Sequence, residues 1–264
     1  MSGAVAPGMQ GAGPAAAPAR RGRVLDRAVL LLLVLARWQA LASWTQHVAI
    51  AGPIGTLAYL GVLAGSAGFW GHVEATVSAF LLAYAISAAA GLLLGLALGR
   101  WRFAGEVAEP VLAGFYTIPK VTLYPVVLLL FGLGMSAKVA FGVMHGLVPV
   151  TLFTLGAVKS MPPVLMRTAR AMRLTPGQAM RHVLVPACLP EIVNGLRVGF
   201  SLSLLGVLIG EMFSSQRGLG FLLINGLAQH NVPLTTAVVL AIVVFAIAAN
   251  AVMLRLGQRI TRRG

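Results

Sequence analysis

Only six acidic side chains occur in 264 residues, and charged residues of either sign make up 10% of the chain. Water-soluble domains carry about 25% charged residues. With 58% hydrophobic residues and a mean hydropathy of +0.89, the composition points to a bilayer as the solvent. Cysteine is nearly missing: Cys188 alone excludes an internal disulfide framework and offers no metal-ligand spacing. The histidines, His47, His72, His145, His182 and His230, are scattered. His145 falls in an apolar run, where a core histidine with its hydrogen bond met is the expected reading, and no metal site is expected. A phosphate-binding loop is also lacking. "GAVKS" (156–160) has Gly156 three residues before Lys159 with no earlier glycine in frame. That segment reads as the end of a span.

Glycine and arginine are what the chain does have. Thirty-one glycines suit close packing of helices in lipid, where small residues rather than a hydrophobic force bring helices together. The net charge of +14 would point to nucleic acid in a soluble protein. Here the cations sit in short segments between apolar runs and no basic face is rich in aromatics. Orientation in the bilayer explains them, and nucleic acid is excluded as a partner.

Residues 1–19 contain Ala, Gly and Pro without charge or periodicity and read as a disordered tail, extending to about residue 23. The arginines that follow precede an apolar core. A retained first span is preferred there over a cleaved signal segment. Six runs reach the roughly 20 apolar residues a membrane helix needs: 24–44, 73–99, 108–131, 137–158, 190–213 and 235–256. A seventh run, 48–70, is long enough to compete but is rich in glycine. With six spans and both termini inside, fifteen Lys and Arg fall on inner segments and two, Lys138 and Arg217, on outer loops. Seven spans would change this to eleven against six. The rule that inner loops are positive therefore favours six, with 48–70 as an outer loop holding a surface helix. The expected organisation is a tail (1–23), a first span with its outer loop (24–72) and the main transmembrane domain (73–264).

The inner segment between the fourth and fifth spans, about 159–190, is unusually polar. Ser160 followed by Pro162 and Pro163 reads as a helix start. At 100° per residue, Met161, Val164, Leu165, Thr168, Ala169 and Met172 share one face, with Arg167, Arg170 and Arg173 opposite. Thr175, Pro176, Gly177 and Gln178 form a capping-box pattern that opens a second short helix. Pro186 is expected to end that helix at Val185, and Pro190 to open the fifth span. From residue chemistry two readings stay open: a solvated loop that fixes topology or holds anionic lipid, and a docking element.

The segment resembles the EAA loop of binding-protein-dependent ABC importer permeases, whose pattern is roughly E-A-A-x-x-x-G, nine residues, then I-x-L-P. "RHVLVPACLPEIVNGLR" (181–197) is similar to the R-H-V-x-L-P-A-A-L-P-x-I-x-x-G-L-R of the nitrate, sulfonate and taurine branch. "TIPKVTLYPVVLLLFGLGMSAK" (117–138) and "GEMFSSQRGLGFLL" (210–223) resemble two further blocks of that family, and the likeness runs from about His72 to Arg255. It implies an all-α, polytopic chain of about six transmembrane helices with the type I importer permease fold, in a bacterial inner membrane with both termini cytoplasmic. It further implies a second permease chain, a separate ATP-binding subunit that uses the ATP and Mg, and a periplasmic or lipid-anchored solute-binding protein. This chain would bind no cofactor and do no covalent chemistry. Contact with the ATPase would fall on Arg167, Thr168, Ala169, Arg170, Met172, Arg173, Leu174, Thr175, Pro176 and Gly177. Two departures stand out: Arg167 replaces the family's acidic residue, and Arg173 the glycine that makes the turn.

Ionisable residues inside spans default to functional candidates. Lys120 lies between Pro119 and Pro125, where a broken helix would expose backbone to a cavity. It either attracts an anion there or reaches a neighbouring carbonyl. Glu211, near the outer end of the fifth span, is either a gate residue or the partner of a basic residue across a dimer. Arg197 is read as a snorkelling side chain at the inner end of that span. A secondary transporter is the main rival, but it predicts paired acids or repeat symmetry, and an intramembrane protease using His145 lacks a serine motif. A small anion of the sulfonate, nitrate or taurine type is the favoured solute.

Overall fold

A computed structural model describes residues 20–45 and 51–261; of the tail read for residues 1–23, residues 1–19 lie outside the described residues, and Arg20–Arg23 belong to the first helix instead. Every regular element among the described residues is helical. The chain divides into two units, 1–53 and 54–264. In the first, α1 (Arg20–Trp44) carries an unbroken apolar run from Val29 to Leu35. The Trp38 indole N–H donates to the Ala51 carbonyl at 3.1 Å.

In the second unit, α2 (Pro53–Ala64) occupies the run 48–70 without spanning, since its 12 residues fall well short of a membrane thickness. Its Thr56 hydroxyl lies 3.4 Å from that of Thr236. Ser66 then accepts from the Phe69 N–H and caps α3 (Ala67–Arg100), which therefore starts earlier than the expected 73. The run 108–131 is not one straight helix. Pro119 holds Ile118 in an extended conformation, so α4 (Arg102–Thr117) stops. A 3₁₀ turn (Lys120–Leu123) leads into α5 (Tyr124–Phe131), which Pro125 opens from its first turn. The two arms meet at 88°. The Tyr124 hydroxyl anchors the second arm by donating to the Gly210 carbonyl at 3.0 Å.

α6 (Met135–Lys159) follows, then α7 (Pro163–Ala171), and α8 (Pro176–Ala179), which runs through a π turn (Met180–Leu184) into α9 (Val185–Ser214). Pro186 does not end the helix: Val185 stays helical, and its N–H reaches back five residues to the Met180 carbonyl. The wider turn makes room for the proline ring, which would otherwise meet the carbonyl four residues earlier. The fifth span thus begins at Pro176 rather than 190 and runs unbroken to Phe213. Ser160 likewise closes α6 instead of opening α7, where Pro162 holds the cap position. α10 (Leu219–Ala228) and α11 (Val232–Thr261) complete the chain. Among the described residues, Ala67–Arg100, Met135–Lys159, Pro176–Phe213 and Val232–Arg255 are long and apolar enough to cross a membrane, five spans in all if the bent pair counts as one. The apolar part of α1, Val29–Trp44, falls in the first of the six expected runs.

α6 is the centre of this unit, packed between α3 and α9. Contact is close because glycine replaces side chains along both neighbours. Gly91, Gly95 and Gly99, four residues apart on α3, lie against Val150, Thr154 and Val158; on α9, Gly195 and Gly199 lie against Phe153 and Val150. Around the α6 stem, Phe80 of α3 and Phe200 of α9 meet edge to face with centroids 4.7 Å apart. A Cβ at Gly95 would stand 2.5 Å from the Thr154 Cβ and 2.8 Å from the Thr151 carbonyl oxygen. Gly95→Ala should therefore cost about 1–3 kcal/mol through overpacking, read as a lower unfolding temperature in detergent. Gly114→Ala, with nothing within 4 Å of the added carbon, should leave that temperature unchanged or raise it.

Candidate functional site

The polar knob is built from α7, a tight turn and α8. At the end of α7 the Leu174 N–H donates to the Ala169 carbonyl (3.1 Å) and the Arg173 N–H to the Arg170 carbonyl (2.9 Å), the pairing of a Schellman turn. Such a turn needs a left-handed residue after the cap, and Arg173 supplies it at φ +53°. The chain thus keeps the shape that glycine would give while carrying a cation at the bend. Thr175 and Gln178 form the reciprocal capping box, with Pro176 in the first turn. Below the knob, Ala157, Leu184, Cys188 and Ile192 form one buried cluster, against which Met161 and Met180 pack. The knob is therefore fixed to α6 and α9.

The exposed face of α7 is mixed rather than divided. Ala169 is buried and Leu165 half-buried, as expected, but Val164 (60% exposed) and Met172 (67%) stand outside together with Arg167, Arg170, Thr168 and Arg173. Pro176 and Gly177 are also exposed, and Leu174 is half-buried. A cleft of about 520 Å³ between α7 and the start of the fifth span is lined by Arg100, Arg170, Leu174 and Pro176. The ten positions named for the knob therefore lie together at one place.

The path residues do not converge. At the break, the Lys120 Nζ donates to the Tyr116 carbonyl at 3.2 Å and lies 4.9 Å from the centre of the Tyr116 ring. It thus caps the carbonyl end of α4, a favourable place for a cation. Pro119 and Pro125 shape the break on either side. Glu211 sits elsewhere, fully enclosed. The Thr76 hydroxyl lies 2.8 and 3.0 Å from its two oxygens, the Gly220 N–H donates to it at 3.0 Å, and the Lys138 ammonium lies 3.4 Å away. Its basic partner is therefore in the same chain. Lys138, counted as an outer-loop cation, sits in the first turn of α6 at 4% exposure.

This cluster latches the loop between α9 and α10. Lys138 also donates to the Arg217 carbonyl at 3.2 Å, and Thr76 accepts from the Leu219 N–H at 2.8 Å. The Gly218 N–H donates to His72 Nδ1 at 3.0 Å. Gly218 has φ +131°, and any Cβ there would strike the Glu211 carboxylate. Sequence reasoning missed Thr76, Lys138 and His72. The one available signal was the spacing of Glu211 from Gly218 and Gly220. His145 behaves as a satisfied core histidine, its Nδ1 2.9 Å from the Phe141 carbonyl. Arg197 lies 16 residues before Phe213, about 24 Å along the helix, toward the inner side of a hydrocarbon core about 30 Å thick.

Residues 87–263 match the family model described as binding-protein-dependent transport system inner membrane component. The taurine transport system permease protein TauC of Escherichia coli (strain K12) is 28% identical over 252 residues, covering 93% of this chain and 90% of that one. The riboflavin transport system permease protein RibX of Chloroflexus aurantiacus is 29% identical over 203 residues, 74% of each chain. Among solved structures, a chain from the inward-facing MetNI methionine ABC transporter superposes with a TM-score of 0.55 at 21% identity, over 74% of this chain and 94% of that one. That likeness establishes the fold.

Two variants probe these sites. Arg173→Gly removes a side chain from left-handed backbone and should stabilise the chain by about 1 kcal/mol, seen as a small rise in unfolding temperature. Lys138→Met leaves the Glu211 carboxylate buried without its cation and should cost about 3–5 kcal/mol. The double variant Lys138→Met, Glu211→Gln should recover much of that loss in the same melting assay.

Proposed function

The chain belongs to the binding-protein-dependent inner-membrane transport family and is a multi-pass permease subunit of an ABC importer; on that premise we propose that its arginine knob couples it to a separate ATP-hydrolysing subunit. The observation that carries this reading is the exposed face of α7. Val164 and Met172 beside Arg167, Arg170 and Arg173 make a surface both apolar and cationic, on a turn held by backbone hydrogen bonds and bolted to α6 and α9. A topology-setting loop needs charge but neither exposed apolar side chains nor a fixed turn. The matching partner surface is a cleft with acidic residues, since Arg167 inverts the charge usual in the family.

The ATPase subunit uses the ATP and Mg, and this chain holds no cofactor of its own. Two permease chains enclose the path, a solute-binding protein delivers solute from the outer side, and both termini lie in the cytoplasm. The transporting domain extends from about residue 73 to the C-terminus. The path passes the break at Pro119, Lys120 and Pro125, and Glu211 holds its outer end. The solute is a small anion of the sulfonate, nitrate or taurine type. Support comes from the likeness to TauC and from intramembrane cations without a matching number of acids.

The test is co-purification of this chain with its ATPase in nanodiscs, with ATP turnover measured beside Arg167→Glu. Stable association, with turnover lowered about tenfold or more in a variant that melts like the natural chain, is the expected result. Association and turnover indifferent to the reversal would sink the docking role.

A further inference from the structure

We propose that the cavity beside Arg197 binds one small oxoanion, the charged head of the transported solute; this rests on the importer reading above and names the place where charge is selected. Arginine stays protonated in any protein environment. The Nε of Arg197 is shut off from solvent and has no hydrogen-bond partner. The ion pairs Lys138–Glu211 and Lys159–Glu109 do not involve Arg197. Glu191, six residues back on α9, accepts from the Asn194 amide at 3.4 Å. Arg197 as a whole is half-buried, but an enclosed guanidinium N–H without an acceptor is costly, and an anion in front of it would supply one.

The space in front of it suits one. Arg197, Asn194, Ser201, Asn250, Tyr116 and Phe153 line a cavity of about 560 Å³, within the range of small-ligand sites. Amide, hydroxyl and guanidinium groups supply donors, and no carboxylate lines the wall. A planar guanidinium fork matches an oxoanion with two parallel hydrogen bonds. Asn194, Arg197 and Ser201 fall on one face of α9, spaced three and four residues apart. Tyr116 comes from α4 at the break, Phe153 from α6 and Asn250 from α11, so an occupant would touch four elements. Tyr116 also carries Lys120, whose ammonium lies 4.9 Å from the ring centre. A second cation thus raises the local potential without occupying the cavity.

Arg197 stands 16 residues before Phe213, about 24 Å along the helix, toward the inner side of a core about 30 Å thick, with its Nε enclosed. A lipid phosphate has the same chemistry as a sulfonate, so the experiment must separate these sources. The complete complex with its ATPase is placed in phosphatidylcholine nanodiscs, and binding of radiolabelled methanesulfonate is measured. Dimethyl sulfone, of nearly the same shape without charge, is the competitor. Saturable binding is expected, weakened at least tenfold by Arg197→Gln and about threefold by Asn250→Leu, with dimethyl sulfone competing at least tenfold more weakly. Where Arg197→Gln fails to fold, Arg197→Lys and Asn250→Leu decide: both should weaken binding.

Absent binding in the natural complex overturns the proposal, as do unchanged affinity in the variants or equal competition by the sulfone. Loss of methanesulfonate binding when phosphatidylglycerol is added assigns the cavity to lipid phosphate and overturns it too. Retention of the ATPase by the unmutated chain is scored separately, so failure of the anion site is distinguishable from failure of the importer reading.

Discussion

The close approach of α3 and α9 to α6 is the constraint on which everything else rests. In lipid there is no hydrophobic force to press apolar helices together, so contact must be made by dispersion between surfaces that fit. Gly91, Gly95 and Gly99 on one side, and Gly195 and Gly199 on the other, let α6 side chains enter the grooves of both neighbours. The long apolar side chains are then free to point outward: Leu93, Leu129 and Val243 are exposed. Side-chain size, more than hydrophobicity, decides which face of each helix is inside.

This stem carries two polar structures of opposite character. One is the exposed knob, where cations and apolar side chains share a surface and the backbone turn is held at a non-glycine residue. The other is the latch at Glu211, where a carboxylate is enclosed and its partners come from α3, α6 and the α9–α10 loop. Buried ion pairs contribute little net stability but penalise any arrangement that separates them. The knob is built to meet something outside the chain, whereas the latch is complete within it. Between them lie the break at Pro119 and the cavity at Arg197, which are neither.

The spans were legible where bilayer thickness demands long apolar runs: four of the six runs fall on helices long enough to cross, one on the bent pair, and the first on the shorter apolar helix Val29–Trp44. The knob's capping box was equally legible, since Thr175, Pro176 and Gln178 act within one turn. Proline was harder to read. Pro119 broke a run that hydropathy showed as continuous, while Pro186 failed to break a helix because a π turn absorbed it. The difference lies in the hydrogen bonding of the preceding turn, which local residue preferences do not encode. The latch was invisible for another reason: Thr76, Lys138 and Glu211 are far apart in the chain, and only the packing of α3 and α9 on α6 brings them together.

The unbroken helix from Pro176 to Phe213 is a rod of 38 residues, about 57 Å long. The capping box of the knob stands at one tip and the enclosed carboxylate near the other. Its internal proline, Pro190, and its π turn both lie in the half next to the knob, and the remainder is a lever. A tilt of about 5° around its middle displaces the two tips by roughly 2.5 Å in opposite directions, enough to part hydrogen bonds of 3 Å. Whatever pushes on the knob therefore also strains the latch, with no signal relayed through side chains in between.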